Sequence, residues 1–169
     1  MMYRLAVPVL LSCFLLAAVS AQAEVTAEKT DQGVIVKIDG KPFTEYLACS
    51  GTKPILWPVI GPTGKHVTRA WPMNSDNADE RQDHPHQRSI WFTHGNVNGI
   101  DFWDENPKKE TRGTTKHLEF VTVESGPQAK VVSRNAWLGP DGKKVLEDER
   151  RLTFGAEDGV RWIDYDITL

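Results

Sequence analysis

Cysteine is scarce in this chain: Cys13 and Cys49 are the only two among 169 residues. Cys13 falls in a segment expected to be removed, which leaves a single thiol and no internal disulfide to staple the fold. Cys49, between Tyr46-Leu47-Ala48 and Ser50-Gly51, reads as a buried, inert thiol at a strand end, since no histidine close in sequence activates it. A surplus of one charge is also lacking. Twenty Lys and Arg oppose 23 Asp and Glu for a formal net charge of −3. The scattered lysines form no basic cluster, which argues against nucleic acid as a partner. Nor does the sequence carry a nucleophile elbow, a phosphate-cradling glycine loop or a His-Glu-x-x-His motif.

Long apolar runs are missing after residue 23. The one such run, Leu5 to Val19, follows Arg4 and precedes Ala21-Gln22-Ala23. That is the order of a secretory leader: a positive start, an apolar stretch and a small-x-small cleavage site. The run is shorter than the roughly 18 to 20 apolar residues of a bilayer-spanning helix. Residues 1–23 are therefore expected to be a signal peptide, and the mature chain, from Glu24, to be periplasmic or secreted with no membrane span. Acylation at Cys13, in Leu11-Ser12-Cys13, is the lipoprotein alternative; apolar residues continuing past it to Val19 argue against it. Cleavage leaves 146 residues, enough for one domain, 24–169, with its own core.

Helical periodicity is absent from that mature chain. Short alternating runs bounded by turn residues replace it. Val34 to Ile38 leads through Asp39-Gly40, a pair suited to a tight hairpin, into a returning strand from Phe43 to Ala48. Prolines 54, 58, 62 and 72 make 51–72 read as loop-rich with short extended pieces. Asn74 to Asp83 is polar and reads as an exposed loop. Leu118 to Glu124, Ala129 to Leu138, Lys144 to Phe154 and Val160 to Leu169 are extended runs. Their connections are short: Ser125-Gly126-Pro127, Gly139 to Gly142 and Gly155 to Gly159. Such connections favour antiparallel neighbours. In the last run Ile163, Tyr165, Ile167 and Leu169 share one face, with Asp164 and Asp166 on the other. The pattern predicts an all-β fold, an antiparallel β-sandwich with one face of each sheet buried. The run ends on an apolar-patterned strand without a turn, which suggests the N-terminal part of a longer domain.

Titratable groups concentrate in Asp83 to Trp103, which holds three of the five histidines, two of the six tryptophans, an arginine and two aspartates. In extended chain His84 and His86 point the same way, a geometry suited to a metal or to a polar ligand. Asp83, His94, Asp101, Asp104 or Glu105 are the side chains that would complete a metal set, but spacing selects none of them. Arg88 is the expected partner of Asp83 or of an anionic ligand group. Ile90, Phe92 and His94 should share one strand face, with Trp91 and Thr93 on the other. Asn98-Gly99 is a strong hairpin signal, and the strand Ile100 to Trp103 should bring Asp101 and Trp103 back beside His94. Trp57 and Trp71 add to an aromatic content suited to stacking on sugar rings, although such residues commonly serve the core. His66 reads as a solvated turn residue and His117 as surface.

Three blocks together resemble the PmoA-like family, secreted bacterial proteins often labelled methane oxygenase PmoA. They are Lys53-Pro54-Ile55-Leu56-Trp57-Pro58-Val59, then Gly64 to Pro72 with Val67-Thr68-Arg69, then Asp83 to Phe92 continuing as Gly95 to Trp103. The resemblance runs from about Gly33 to Leu169. It implies a large sandwich of the galactose-mutarotase kind and members close to twice this length. Gln87 stands where members often have a third histidine and Ser89 where they often have glycine, which counts against a metal-dependent oxygenase. The leading expectation is an exported protein that binds or acts on a carbohydrate. His84, His86 and His94 are the acid–base candidates. Asp83, Arg88, Trp91, Asn98, Asp101 and Trp103 are the ligand-binding candidates, and no residue is assigned to a metal. A non-catalytic glycan-binding or scaffolding module is the alternative. A metal-dependent oxygenase is the third reading, and the cofactor stays unassigned.

Overall fold

The computed structural model describes residues 22–169; Arg4, the apolar run, Cys13 and Ala21 of the expected leader lie outside the described residues. Nine strands form two antiparallel sheets, and no helix occurs among those residues. The first sheet joins β1 (Val25–Lys29), β2 (Gly33–Ile38), β3 (Lys41–Ser50), β4 (Lys53–Val59) and β5 (Ile90–Trp91) in chain order. The second is a meander of β6 (Thr114–Glu124), β7 (Ala129–Leu138), β8 (Lys144–Glu157) and β9 (Val160–Thr168).

Alternation builds the core. Val34, Val36 and Ile38 of β2, Phe43 and Tyr46 of β3 and Leu56 and Val59 of β4 meet Ala129, Val131, Leu152 and Phe154 of the second sheet. Strand β1 crosses β6, β7 and β8, and Val25 is fully buried. The same parity carries polar groups inward further along β7 and β8, where Asn135, Asp148 and Arg150 are buried. They satisfy one another: Arg150 Nη2 donates to Asp148 Oδ2 at 2.8 Å, and Trp137 Nε1 donates to the same oxygen at 2.7 Å. Arg150 Nη1 also donates to the Tyr165 hydroxyl at 3.2 Å, and Tyr46 shares a 2.9 Å hydrogen bond with Ser133. Within this network Asn135, Trp137, Asp148 and Arg150 each have a partner, as a dry interior demands.

Several sequence expectations are refined or corrected. Segment 53–59, within the stretch expected to be loop-rich with short extended pieces, is one continuous strand. Its prolines are tolerated because the β3–β4 register slips between Thr44 and Tyr46 and again between Leu47 and Ser50, so the missing N–H groups of Pro58 and Pro54 fall where the ladder is interrupted. Strand β8 runs on through Gly155 to Glu157, leaving only Asp158-Gly159 as the turn. Strand β6 starts at Thr114, and His117 is half-buried rather than surface, packed 4.2 Å from the Phe120 ring. The strand expected over 90–94 pairs only at Ile90 and Trp91. Phe92 leaves the ladder to pack on Trp137 of the opposite sheet, ring centroids 6.1 Å apart. Cys49 is exposed, not buried; with Tyr46 turned inward, alternation sends residue 49 outward.

Candidate functional site

The site lies on the outward face of the first sheet, at its β5 edge. Leu56 points into the core, so Lys53, Ile55 and Trp57 face the other way. The β4–β5 register sets Trp91 opposite Ile55 on that outward face. A long connection, 60–89, leads from β4 to β5 and ends in the turn His84-Pro85-His86-Gln87, closed by the Gln87 amide donating to the His84 carbonyl at 2.9 Å. Pro85 suits the second turn position because its φ is already fixed. His84 adopts φ 43° and Ser89 φ 56°, a left-handed backbone that costs a side-chain-bearing residue about 1–2 kcal/mol. Arg69 anchors the approach: Nη2 donates to the Arg81 and Asp83 carbonyls at 2.8 and 3.1 Å and to Asp83 Oδ1 at 3.4 Å.

Beyond β5 the chain doubles back. Asn98 and Gly99 take φ 54° and 82° at the tip of a turn bridged by Val97 and Ile100, as the Asn-Gly signal requires. The Phe102 amide donates to the His94 carbonyl at 3.2 Å, and the Thr93 hydroxyl to the Phe102 carbonyl at 2.9 Å. Phe102, 2% exposed, plugs against Trp137. Trp103, the next residue, turns outward and is 43% exposed.

This doubling back joins four rings. Trp91 and Trp103 meet edge to face with centroids 4.6 Å apart; Trp103 and His86 are 6.1 Å apart, and His86 and His84 5.5 Å apart. Beneath them lies a cluster of charges. The Lys53 ammonium sits 4.5 Å from the Trp91 ring centre and 2.9 Å from Glu105 Oε1. Arg88 grips the same carboxylate from Nε, at 3.1 and 2.9 Å, and from Nη2 at 2.8 Å. Of the partners expected for Arg88, Asp83 or an anionic ligand group, Asp83 is not the one it takes. It pairs with Glu105 because that carboxylate, 8% exposed, cannot stay charged there without compensation, whereas Asp83 is exposed and takes Arg69.

The electrostatics follow from these contacts. Burial pushes the Glu105 carboxyl up, but hydrogen bonds from Arg88 and the charge of Lys53 outweigh it, and the net shift is downward. Burial lowers Lys53, with Glu105 opposing. His86 is lowered by burial first and by the Lys53 charge second, which favours its neutral ring. Asp101 is engaged by its own loop. Its Oδ1 accepts the Trp103 and Asp104 amides at 2.7 and 3.1 Å, and its Oδ2 meets Lys109 at 2.5 Å.

Of the sequence candidates, His84, His86, Trp91 and Trp103 come together, and Arg88 lies under them. Asp83 and Asp101 flank the site but are tied to Arg69 and Lys109. His94 lies in the 93–102 loop, exposed, with Nδ1 accepting the Asn96 amide at 3.1 Å; Asn98 is at the turn tip. Trp57 and Trp71 have buried indole N–H groups without an acceptor. Sequence reasoning missed Lys53 and Arg69. The parity of β4 carries the signal for Lys53, and it was hidden by the neighbouring prolines. Among the described residues, no group of three or more His, Cys, Asp or Glu side chains is arranged to hold a metal ion, and no helix is long and apolar enough to cross a membrane.

No curated protein and no solved structure matches the chain. The family model that does match covers residues 33–169, so both sheets from β2 onward and the whole ring cluster lie within it: the chain belongs to DUF6807, a family of unknown function.

Proposed function

We propose that this is an exported protein whose His84–His86–Trp103–Trp91 surface binds a carbohydrate. The observation that carries the reading is Trp103: a large apolar ring left 43% exposed, with the His86 imidazole beside it, His84 next to His86, and Trp91 packed edge-on against it. An exposed indole offers a sugar ring a stacking face, and imidazoles beside it can bond the hydroxyls. In the enzymatic form of the proposal, neutral His86 accepts a proton from a sugar hydroxyl or from water, and His84, more exposed, returns one. Export rests on the leader pattern of residues 1–23.

The non-catalytic module is favoured by a separate observation. Asp101 and Glu105 are both engaged in holding the loop and the buried cations, so neither stands free beside the rings as the second carboxylate that glycoside hydrolysis ordinarily uses. The PmoA-like resemblance belongs to this proposal as kinship only. Its oxygenase reading gains no support from the His84–His86 pair, which no third ligand side chain joins among the described residues.

The deciding experiment is a glycan panel read by intrinsic tryptophan fluorescence, followed by turnover assays on whichever glycan binds. Binding lost in Trp103→Ala supports the site. Turnover lost in His86→Ala with binding kept supports the enzyme. Binding without turnover in the unaltered protein supports the module, and no binding by any glycan rejects both.

A further inference from the structure

We propose that Asp39 is a receptor for the new N-terminus that leader cleavage creates at Glu24. This inference rests on the export reading and is independent of the carbohydrate site.

Two observations meet at that residue. In the sequence, Ala21-Gln22-Ala23 marks cleavage before Glu24. In the structure, Glu24 is hydrogen-bonded through both its backbone groups to Asp39 in the β2–β3 turn. Its amide donates to Asp39 Oδ1 at 3.0 Å, and its carbonyl accepts the Asp39 amide at 2.8 Å. The next residue, Val25, exchanges 2.8 and 2.9 Å backbone bonds with Gly126 and is fully buried. The Asp39 carboxylate thus already sits on the nitrogen that cleavage would charge. Hydrolysis of the Ala23–Glu24 bond adds water across it, leaving a carboxylate on Ala23 and an α-ammonium on Glu24. A neutral amide bond to Asp39 becomes an ion pair.

The surroundings suit a cation. Gln22, Ala23 and Asp39 line an open cleft of about 570 Å³, together with Glu157, Asp158, Arg161 and Trp162. It lies at the end of the strands remote from the ring cluster, because Asp39 precedes β3 and Ser50, beside Arg88, ends it. Asp39 from the β2–β3 turn meets the Glu24 nitrogen directly, and the other charged groups of the adjoining cleft are Glu157 at the end of β8, Asp158 from the β8–β9 turn and Arg161 from β9. Arg161 is held away, donating to the Pro42 and Ile60 carbonyls at 2.9 Å each. Carboxylates outnumber cations in the lining of that cleft.

The test starts from the full 169-residue chain, expressed in an exporting bacterial host, with the N-terminus of the exported product read by mass spectrometry. The α-amine of that product is then titrated by nitrogen-15 NMR, alone and as Asp39→Asn. Asparagine tolerates the φ of 50° that residue 39 adopts. The expected product starts at Glu24, and its α-amine titrates above the ordinary range of about 7.7–8.0, falling by about half a unit in Asp39→Asn, as suits an exposed pair. The sign follows: a raised folded pKa gives stability that is present below the ordinary value and lost as pH rises through the folded one. Nα-acetylation of Glu24 is the second variant. It must lower the melting temperature at pH 7 and leave it unchanged at about pH 10. A retained leader, a different start site, or an α-amine indifferent to Asp39→Asn overturns the proposal, and none of these results bears on sugar binding.

Discussion

Replacing Glu105 with alanine removes the carboxylate that faces both Lys53 and Arg88. Lys53 suffers most: its side chain is 1% exposed and its ammonium sits 2.9 Å from Glu105, so the substitution leaves a buried cation without its counter-charge. Breaking such a pair from one side costs about 3–5 kcal/mol. Arg88, 16% exposed and also bonded to the Ser50 hydroxyl at 3.2 Å, can turn partly to water and adds less. For a domain of this size, each kcal/mol lowers the melting temperature by about 2–4 °C. Glu105→Ala is therefore expected to melt about 6–20 °C lower. Adding Lys53→Met to that variant removes the orphaned charge, and the double variant should recover part of the loss, a coupling of about 1–3 kcal/mol. Calorimetry on the four proteins reads both numbers. A Glu105→Ala melt within about 2 °C of the unaltered protein, or strict additivity, refutes the claim that this cluster holds the site together.

The same carboxylate sets an acid limb: its folded pKa lies below the ordinary 4.5, so its contribution is present above that value and lost as pH falls through the folded one, and Glu105→Gln should flatten stability against pH in that window. His86, lowered from 6.5 by burial and then by Lys53, should titrate below 6.5 by proton NMR and move upward in Lys53→Met; a midpoint at or above 6.5 contradicts the assignment. Asp148→Ala strands Arg150, both side chains being 0% exposed, and should cost about 3–5 kcal/mol in urea unfolding; a loss under 1 kcal/mol would mean that water reaches the network. Gly33→Ala sets a Cβ 1.7 Å from the Tyr46 carbonyl oxygen, a backbone clash expected to cost at least about 1–3 kcal/mol, and a neutral result would mean that β2 and β3 are free to separate there.

The second sheet was legible because β7, β8 and β9 alternate cleanly between short turns, and in β7 and β8, each paired on both sides, alternation means burial. The same rule, carried back from Leu152 and Phe154, also places Arg150 and Asp148 inside. Charge alone suggests the opposite, and the cost of burial is met only by partners on other strands that sequence spacing does not reveal. Strand β4 was illegible for a related reason. Pro54 and Pro58 forbid an unbroken ladder, and only the register of β3 shows that the ladder is broken at those places. In the site, the Asn98-Gly99 turn follows from local chemistry, whereas His84 and His86 meet through a turn at Pro85 and not through the extended chain that their spacing suggested. The Arg88–Glu105 pairing does not follow from local chemistry either: Glu105 lies 17 residues away along the chain and depends on where Phe102 seats against Trp137, whereas Asp83 is the nearer acid in sequence.

The central claim is that the Trp103–His86 surface is a carbohydrate site, and thermal unfolding with sugars tests it most directly. A ligand that binds only the folded state at a hundredfold excess over Kd adds about 2.7 kcal/mol, or about 5–11 °C for a domain of this size. The expected result is a glycan that raises the melting temperature of the mature chain by that amount and loses the effect in Trp103→Ala, a variant whose own melt changes little because the ring is half in water. A panel of neutral and acidic glycans that leaves the melt unmoved, or a shift that Trp103→Ala and His86→Ala both retain in full, contradicts the account.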